Sequence, residues 1–177
     1  PPPPDYSSAA SDVYKRQNVD NETASITVSA LSGNTTEMGG TATFTVVLDS
    51  QPTSDVSISV SSSDTSEATI SPSSLTFGSS NYSTLQTVTV TGVDDFYDDD
   101  NVSYTITVDP SSSIASYNTM TSSTVTGSNI DNDTAAITLG AKSGNMSESG
   151  TTATINVTLA TIPTANAVSY THLRAHE

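Results

Sequence analysis

Hydrophobic residues alternate with serine and threonine along most of the chain, which is the two-residue period of a half-buried β-strand. The clearest case is residues 41–49, where alanine, phenylalanine, valine and leucine occupy every second position. No segment sustains the 3.6-residue period of an amphipathic helix. The pattern predicts seven strands, A to G, at residues 24–30, 41–49, 55–61, 67–70, 84–91, 102–108 and 121–130.

Turn-forming residues separate the predicted strands. They are Gly39-Gly40, Ser71-Pro72, Gly92 and Asp109-Pro110. Leu85 is out of phase with Val88 in strand E, which predicts a bulge there. Seven short strands with turns between them in about 110 residues are typical of an immunoglobulin-like antiparallel β-sandwich, so the predicted fold class is all-β.

A long internal repeat organises the chain. Residues 130–163 align with residues 19–52 without a gap, and more than half of the aligned positions are identical. One constant offset, from residue 19 to residue 130, relates the two segments, so the chain holds one whole unit of a tandem repeat and the start of a second. We expect a sandwich at 18–133 and an incomplete second unit at 134–167, which is too short to bury a core alone.

The two ends of the chain differ from the repeat. They contain three of the four basic residues and both histidines. The sequences SAASDVYKRQ and VSYTHLRAHE resemble translated sequencing-adapter sequence at the ends of metagenomic fragments. We therefore expect residues 1–17 to be a non-native or disordered leader and residues 168–177 to be a non-native tail.

The charge of the chain limits its partners. Nineteen acidic residues face four basic ones, for a net charge of −15. This balance argues against nucleic acid as a partner, because nucleic-acid binding needs lysine and arginine against phosphate. The absence of cysteine excludes disulfides and thiolate metal sites. No apolar run is long enough to span a bilayer, so we expect no membrane insertion. A cation is the partner that fits best.

Strand parity, by which we mean that successive strands run in opposite directions, predicts where the acidic residues lie. If each strand reverses direction, the A–B, C–D and E–F connections and the end of strand G meet at one pole of the sandwich. That pole receives Glu37, Asp64, Asp94, Asp95, Asp98, Asp99, Asp100, Asp131 and Asp133. The opposite pole receives Asp49, Asp55 and Asp109.

Such crowding of carboxylates favours a bound cation. Two like charges about 4 Å apart repel by ~1 kcal/mol in bulk water, and by more near a protein surface. Calcium takes six to eight oxygen ligands and suits this set, whereas zinc prefers histidine or cysteine, which the repeat lacks. The alternative is that the run from Asp94 to Asp100 is a solvated loop that only keeps the protein soluble. Asp99 and Asp100 are the residues that best fit that alternative.

Four short motifs then occur in a characteristic order. They are Glu37 with GGTA at 39–42, LTF at 75–77, TVTVTGVDD at 87–95 and IDND at 130–133. Together they resemble Calx-beta repeats, the calcium-binding β-sandwiches of sodium/calcium exchangers and many bacterial surface proteins. The resemblance covers residues 19–163. It implies calcium ligands at Glu37, Asp64, Asp94, Asp95, Asp98, Asp131 and Asp133. Two residues depart from the family pattern: Asn132 in the terminal triplet, and Asp98 where glutamate is frequent.

The predicted function is a calcium-binding structural repeat of a bacterial extracellular or cell-surface, adhesin-like protein. Calcium at the acidic pole would stiffen the joint between neighbouring repeats, because that pole is also the junction to the next unit. The alternative is an adhesive module that binds a glycan, ice or a host protein through its loops or a threonine-rich sheet face. Tyr82, Tyr97 and Tyr104 could stack on a sugar, although such residues are more often core. The repeat has no histidine for a Ser-His-Asp set, so we expect no enzyme.

Overall fold

The computed structural model describes residues 22–168 of the 177-residue chain. The predicted leader at 1–17, and all but the first residue of the predicted tail at 168–177, lie outside the described residues. The elements are β1 (Ile26–Val28), β2 (Thr35–Thr36), β3 (Thr41–Leu48), β4 (Val56–Ser62), β5 (Ala68–Ser71), β6 (Ser74–Phe77), β7 (Gln86–Gly92), β8 (Val102–Ser112), α1 (Ala115–Asn118), β9 (Ser123–Ile130), β10 (Ile137–Leu139) and β11 (Val157–Leu159). None of the helical structure in this range is long and apolar enough to cross a membrane.

Strands β1 to β9 form two facing sheets. One sheet has the order β1-β3-β7-β5 and is antiparallel throughout. The other has the order β2-β9-β8-β4-β6, and its pairs are antiparallel except for the short parallel pair β2–β9. The predicted all-β, immunoglobulin-like antiparallel sandwich is therefore confirmed.

The core follows the predicted alternation. In β3, Phe44 and Val46 are at most 1% exposed, whereas Thr43 and Thr45 are only partly buried. Phe44 lies opposite Val88 of β7, which is also fully buried. Each such apolar side chain contributes about 1.5–3 kcal/mol when it leaves water completely. The alternation in sequence thus produces a sheet with one buried face and one face towards solvent.

Two strands of the sandwich, β2 and β6, were not predicted. β2 has only Thr35 and Thr36, which are too few to show any period. The chain leaves the first sheet at Ser71 and joins the second at Ser74, so that Leu75 and Phe77 reach the core from the opposite side. The predicted strand D is therefore followed by a second strand in the other sheet.

Two local predictions were wrong. A turn was expected at Asp109-Pro110, but β8 continues to Ser112 and Pro110 pairs opposite Ile58. The β8–β9 ladder has already ended at Val108, so one edge of β8 is open there and the missing N–H of proline costs no sheet bond. The expected bulge at Leu85 is wrong because β7 begins only at Gln86, and Leu85 is an exposed residue before it.

The start of the second unit folds as a hairpin. β10 and β11 form a two-stranded antiparallel sheet whose residues are all exposed. This hairpin contacts the sandwich through a loop, since Ile162 N donates a hydrogen bond to Phe96 O at 2.7 Å. The segment that matches the start of the first unit thus forms the corresponding hairpin but buries no core.

Candidate metal centre

Four chain segments meet at one end of the sandwich, which we call the acidic pole. They are the β2–β3 turn, the β4–β5 loop, the β7–β8 loop and the residues after β9. Backbone hydrogen bonds join them: Glu37 N donates to Ile130 O at 3.1 Å, and Val93 N donates to Glu67 O at 3.0 Å. The connections that strand parity assigns to one pole are therefore in direct contact.

The first acidic cluster consists of Glu37, Asp131 and Asp133. Each offers a carboxylate oxygen, and these oxygens all lie within 4.8 Å of one another. Glu37 is 2% exposed, although it carries a carboxylate. Its Oε2 accepts a hydrogen bond from the backbone N of Asn132 at 3.0 Å, which fixes the side chain against the residues that follow β9.

Asp133 holds the least satisfied atom of this cluster. Its Oδ2 is buried and has no hydrogen-bond partner among the described residues. A buried polar atom without a partner is costly, and a carboxylate oxygen more so. The backbone N of Asp133 donates to Asp131 Oδ1 at 2.6 Å, and this tight turn brings both carboxylates to the Glu37 side chain. The residues present therefore fit a cation, which would supply the missing partner.

The second acidic cluster consists of Glu67, Asp95 and Asp99, whose carboxylate oxygens also lie within 4.8 Å of one another. Glu67 is 5% exposed, and its Oε2 accepts a hydrogen bond from Asn129 Nδ2 at 3.2 Å. Glu67 is not among the ligands predicted from the sequence, and Asp99 was expected to be a solvated residue. In the structure Asp99, although exposed, lies beside Asp95 and Glu67 and so belongs to the candidate site.

Asp64, which was predicted as a ligand, has a different place. Its Oδ1 accepts hydrogen bonds from the backbone N of Ser66, at 3.0 Å, and from the Ser66 hydroxyl. Its carbonyl oxygen accepts from Ala68 N at 3.1 Å. Asp64 thus closes the β4–β5 loop and leaves Glu67 as the buried acid of that loop. The only signal in the sequence was the position of Glu67 directly before the buried Ala68.

Asp94 and Asp98 also lie outside the two clusters. Asp94 Oδ1 accepts a hydrogen bond from Asn132 Nδ2 at 3.0 Å, and Asp98 Oδ2 accepts from Ala135 N at 2.7 Å. These two carboxylates therefore hold the β7–β8 loop against the segment that leads into the second unit. Of the predicted ligands, the structure brings Glu37, Asp131 and Asp133 together in one cluster and places Asp95 in the other.

A buried polar frame supports the pole from beneath. Asn129 is 1% exposed; its Nδ2 donates to Val93 O at 2.9 Å as well as to Glu67, and its Oδ1 accepts from Thr35 Oγ1 at 3.0 Å. Thr35 Oγ1 lies 3.1 Å from the hydroxyl of Tyr104, which is core and not a free stacking platform. Gly92 lets this frame close, because a methyl group there would overlap the Asn129 amide oxygen.

Burial and mutual repulsion disfavour charge on several of these acids. Burial raises the pKa of Glu37 above its ordinary value of 4.5, and the neighbouring Asp131 and Asp95 add to this. Burial is also the largest cause that raises the pKa of Glu67, Asp99 and Asp133. The pKa of Asp64 is lowered instead, chiefly by its hydrogen bond with the Ser66 side chain.

These shifts predict a pH dependence in the absence of metal. With chelator present, lowering the pH from about 7 towards 4.5 should raise the melting midpoint, because acids whose pKa is raised in the folded state destabilise the fold as the pH rises from the ordinary to the raised value. Asp64 has a lowered pKa in the folded state, so acidification destabilises the fold through this residue. That effect begins only below its ordinary pKa of 3.8, which is outside the window. A midpoint that falls steadily on acidification across this window would contradict the prediction, and Glu37→Gln should show a smaller rise than the parent chain.

The part of the chain that the structure describes offers no lysine or arginine that balances the charge of the acidic pole. Lys142 is the one lysine or arginine among residues 22–168, and it lies in the second unit, where it donates to Asn145 Oδ1 at 3.2 Å. The donor set of each cluster consists of oxygen alone. Oxygen donors suit calcium or magnesium, and the irregular spacing on loops favours calcium, which tolerates variable geometry better.

No protein-family model matches the chain. No curated protein matches it either. Among solved structures, similar ones include the CsuC–CsuE chaperone–tip adhesion subunit complex of Acinetobacter baumannii Csu pili, at 11% identity and a TM-score of 0.45 over 62% of this chain and 58% of that one. SSP-19, an MSP-domain-like protein of Caenorhabditis elegans, is 16% identical with a TM-score of 0.38, over 56% of this chain and 92% of that one. The PapD-like domain 7 of human CEP192 is 14% identical with a TM-score of 0.37, over 67% of this chain and 95% of that one. Similarity at this level assigns no function.

Proposed function

We propose that residues 22–133 form a calcium-binding structural repeat of a bacterial extracellular or cell-surface, adhesin-like protein, similar to Calx-beta repeats. The single observation that carries the proposal is the buried, unpartnered Oδ2 of Asp133 inside a cluster of three carboxylates. A protein that lacked a cation there would retain both the repulsion and the unsatisfied atom. The proposal assigns the unit no catalytic activity.

Two ion positions follow from the two clusters. The first cluster, Glu37 with Asp131 and Asp133, would hold one calcium ion. The second cluster, Glu67 with Asp95 and Asp99, would hold another. The Asn129 frame lies between them, since Asn129 bonds Glu67 directly and sits one residue before Ile130, whose carbonyl oxygen accepts from Glu37 N. The two positions are therefore parts of one site on a common support.

Calcium in this site would act on the joint between units. The β7–β8 loop carries Asp95 and Asp99 of the second cluster, and the same loop holds Ala135 through Asp98 and Ile162 through Phe96 O. An ion that fixes this loop also fixes the contacts that the loop makes with the next unit. Extracellular calcium modules bind with a Kd on the order of 10⁻⁴–10⁻³ M, which suits a stalk outside the cell.

Calcium should stabilise the whole chain against heat. With a Kd of about 10⁻⁴ M, roughly 10 mM calcium adds about 2.7 kcal/mol for each of the two proposed ions, and together they should raise the melting midpoint by roughly 10–20 °C over chelator. Calorimetry of the full chain in calcium and in chelator measures the difference. Magnesium at the same concentration is the matched control and should give a smaller rise, because it keeps its waters and demands a stricter geometry. An unchanged midpoint in calcium would refute the proposal.

A second candidate function is adhesion through a sheet face. The outer face of the first sheet carries two adjacent rows of threonine, paired as Thr41↔Thr91, Thr43↔Thr89 and Thr45↔Thr87. Such a regular hydroxyl array could bind ice, a glycan or a host protein. These threonines lie on the strands, whereas the acidic clusters lie on the connections at the pole. Binding of this kind should therefore survive chelation, whereas the joint should not stay stiff without calcium.

A further inference from the structure

The β10–β11 hairpin repeats the backbone pairing of β1–β3 residue for residue. At the offset of the sequence repeat, the pairs Ile137↔Leu159 and Leu139↔Val157 correspond to Ile26↔Leu48 and Val28↔Val46. The agreement extends beyond the strands. Ser143 N donates to Thr154 O at 2.9 Å, as Ser32 N donates to Thr43 O at 2.8 Å. The second unit thus forms the same hairpin as the first.

The two hairpins differ in what covers them. Ile155, Val157 and Leu159 are 52%, 59% and 43% exposed, whereas their counterparts in β3 are at most 2% exposed. The same apolar face is therefore buried in the first unit and exposed to solvent in the second. An exposed apolar strand face of this kind marks a site of interaction.

Within the described residues, one edge of β11 is open as well. In the first unit β7 lies along β3, with Val88 opposite Phe44. Among residues 22–168, β11 pairs with β10 alone. Thr154 directs its backbone groups towards the β10 side of the hairpin, so by the alternation of a strand the backbone of Ile155 faces the open edge. Residues 153–159 contain no charge and no proline, which are the features that blunt a strand edge.

We propose that this hairpin is a preformed acceptor for an extended segment in which valine alternates with threonine, as in β7. The segment would pair with the open edge of β11 and bring its valines over the apolar face. The choice of occupant rests on the repeat, because β7 is the strand that occupies the same edge of the same hairpin in the first unit. The proposal does not depend on calcium.

A synthetic copy of β7 tests the proposal. A peptide of residues 84–93, with two lysines added at each end for solubility, is titrated into the full chain. Hydrogen exchange followed by NMR should show protection gained at the amides of Ile155 and Val157, which face the open edge. The amide of Thr154, which faces the β10 side, should change little. The melting midpoint of the sandwich should stay constant, because β7 keeps its own place there.

Two matched variants decide whether the pairing is specific. A peptide carrying V88T and V90T keeps the backbone and loses the apolar side chains, so it should bind about tenfold more weakly or worse. The chain variant Val157→Ser should weaken binding of the parent peptide similarly, and since Val157 is exposed the sandwich should melt as before. Three results would overturn the proposal: no binding, equal binding of both peptides, or a homodimer in which the β11 amides are already protected by a second copy.

Discussion

Replacing Asp133 with asparagine should shift the melting midpoint in opposite directions in chelator and in calcium. In chelator the Asp133→Asn chain should melt higher, because burial and then the charge of Asp131 raise the pKa of this carboxyl, so that its charged form destabilises the fold. In calcium the variant should lose about half of the rise of roughly 10–20 °C expected for the parent chain, because one of the two proposed ions loses a buried ligand.

Asp109→Asn is the matched control for this experiment. It makes the same chemical change at an exposed residue of β8 that pairs with Ser59, towards the end of the sandwich away from the acidic pole. The control should keep the full calcium response. If both variants lost the response equally, calcium would be acting through the net charge of −15 and not through a site.

Replacing Phe44 with alanine should cost more stability than any other substitution proposed for this chain. Phe44 is 1% exposed in the centre of β3 and lies opposite Val88. Truncation of a buried phenylalanine removes its transfer energy and leaves a cavity, which together cost about 3–5 kcal/mol. Urea denaturation measures the loss as a lower midpoint at an unchanged m-value.

The repeat supplies the control for Phe44 in the same molecule. Ile155 occupies the equivalent position of the second unit, shortly before β11, and it is 52% exposed. Ile155→Ala should change the free energy of unfolding by less than about 0.5 kcal/mol, as surface substitutions usually do. Equal losses for the two variants would mean that the second hairpin buries its apolar face in solution.

Much of the fold could be predicted from the alternation of residues, and the failures have local causes. Strands such as β3 and β4 repeat an apolar residue at every second position, and the period indicates both the strand and its buried face. β2 has too few residues to show a period. β6 depends on a change of sheet after Ser71, which no local pattern records. The extension of β8 past Pro110 depends on where β9 stops pairing.

The candidate site shows a similar division. Strand parity is a global property, and it places Glu37, Asp131 and Asp133 at one pole without any knowledge of side chains. The choice between Asp64 and Glu67 depends on which acid closes the β4–β5 loop, and that is decided by hydrogen bonds from Ser66. Sequence position alone does not reveal it. The role of these acids as calcium ligands stays a prediction.

The matching register of the two hairpins bears on the order in which a repeat folds. β10–β11 holds the register of β1–β3 although, among residues 22–168, no second sheet covers it, so residues 26–48 and their counterparts encode this pairing locally. Contacts that are close in sequence close small loops and form early. During synthesis the first hairpin of each repeat would emerge already in register, with one apolar face uncovered. That face would stay exposed until β7 is made, because β7 follows only after β4, β5 and β6. Neighbouring repeats in an array would then be exposed to mispairing during that interval, and the speed of translation would set how long it lasts.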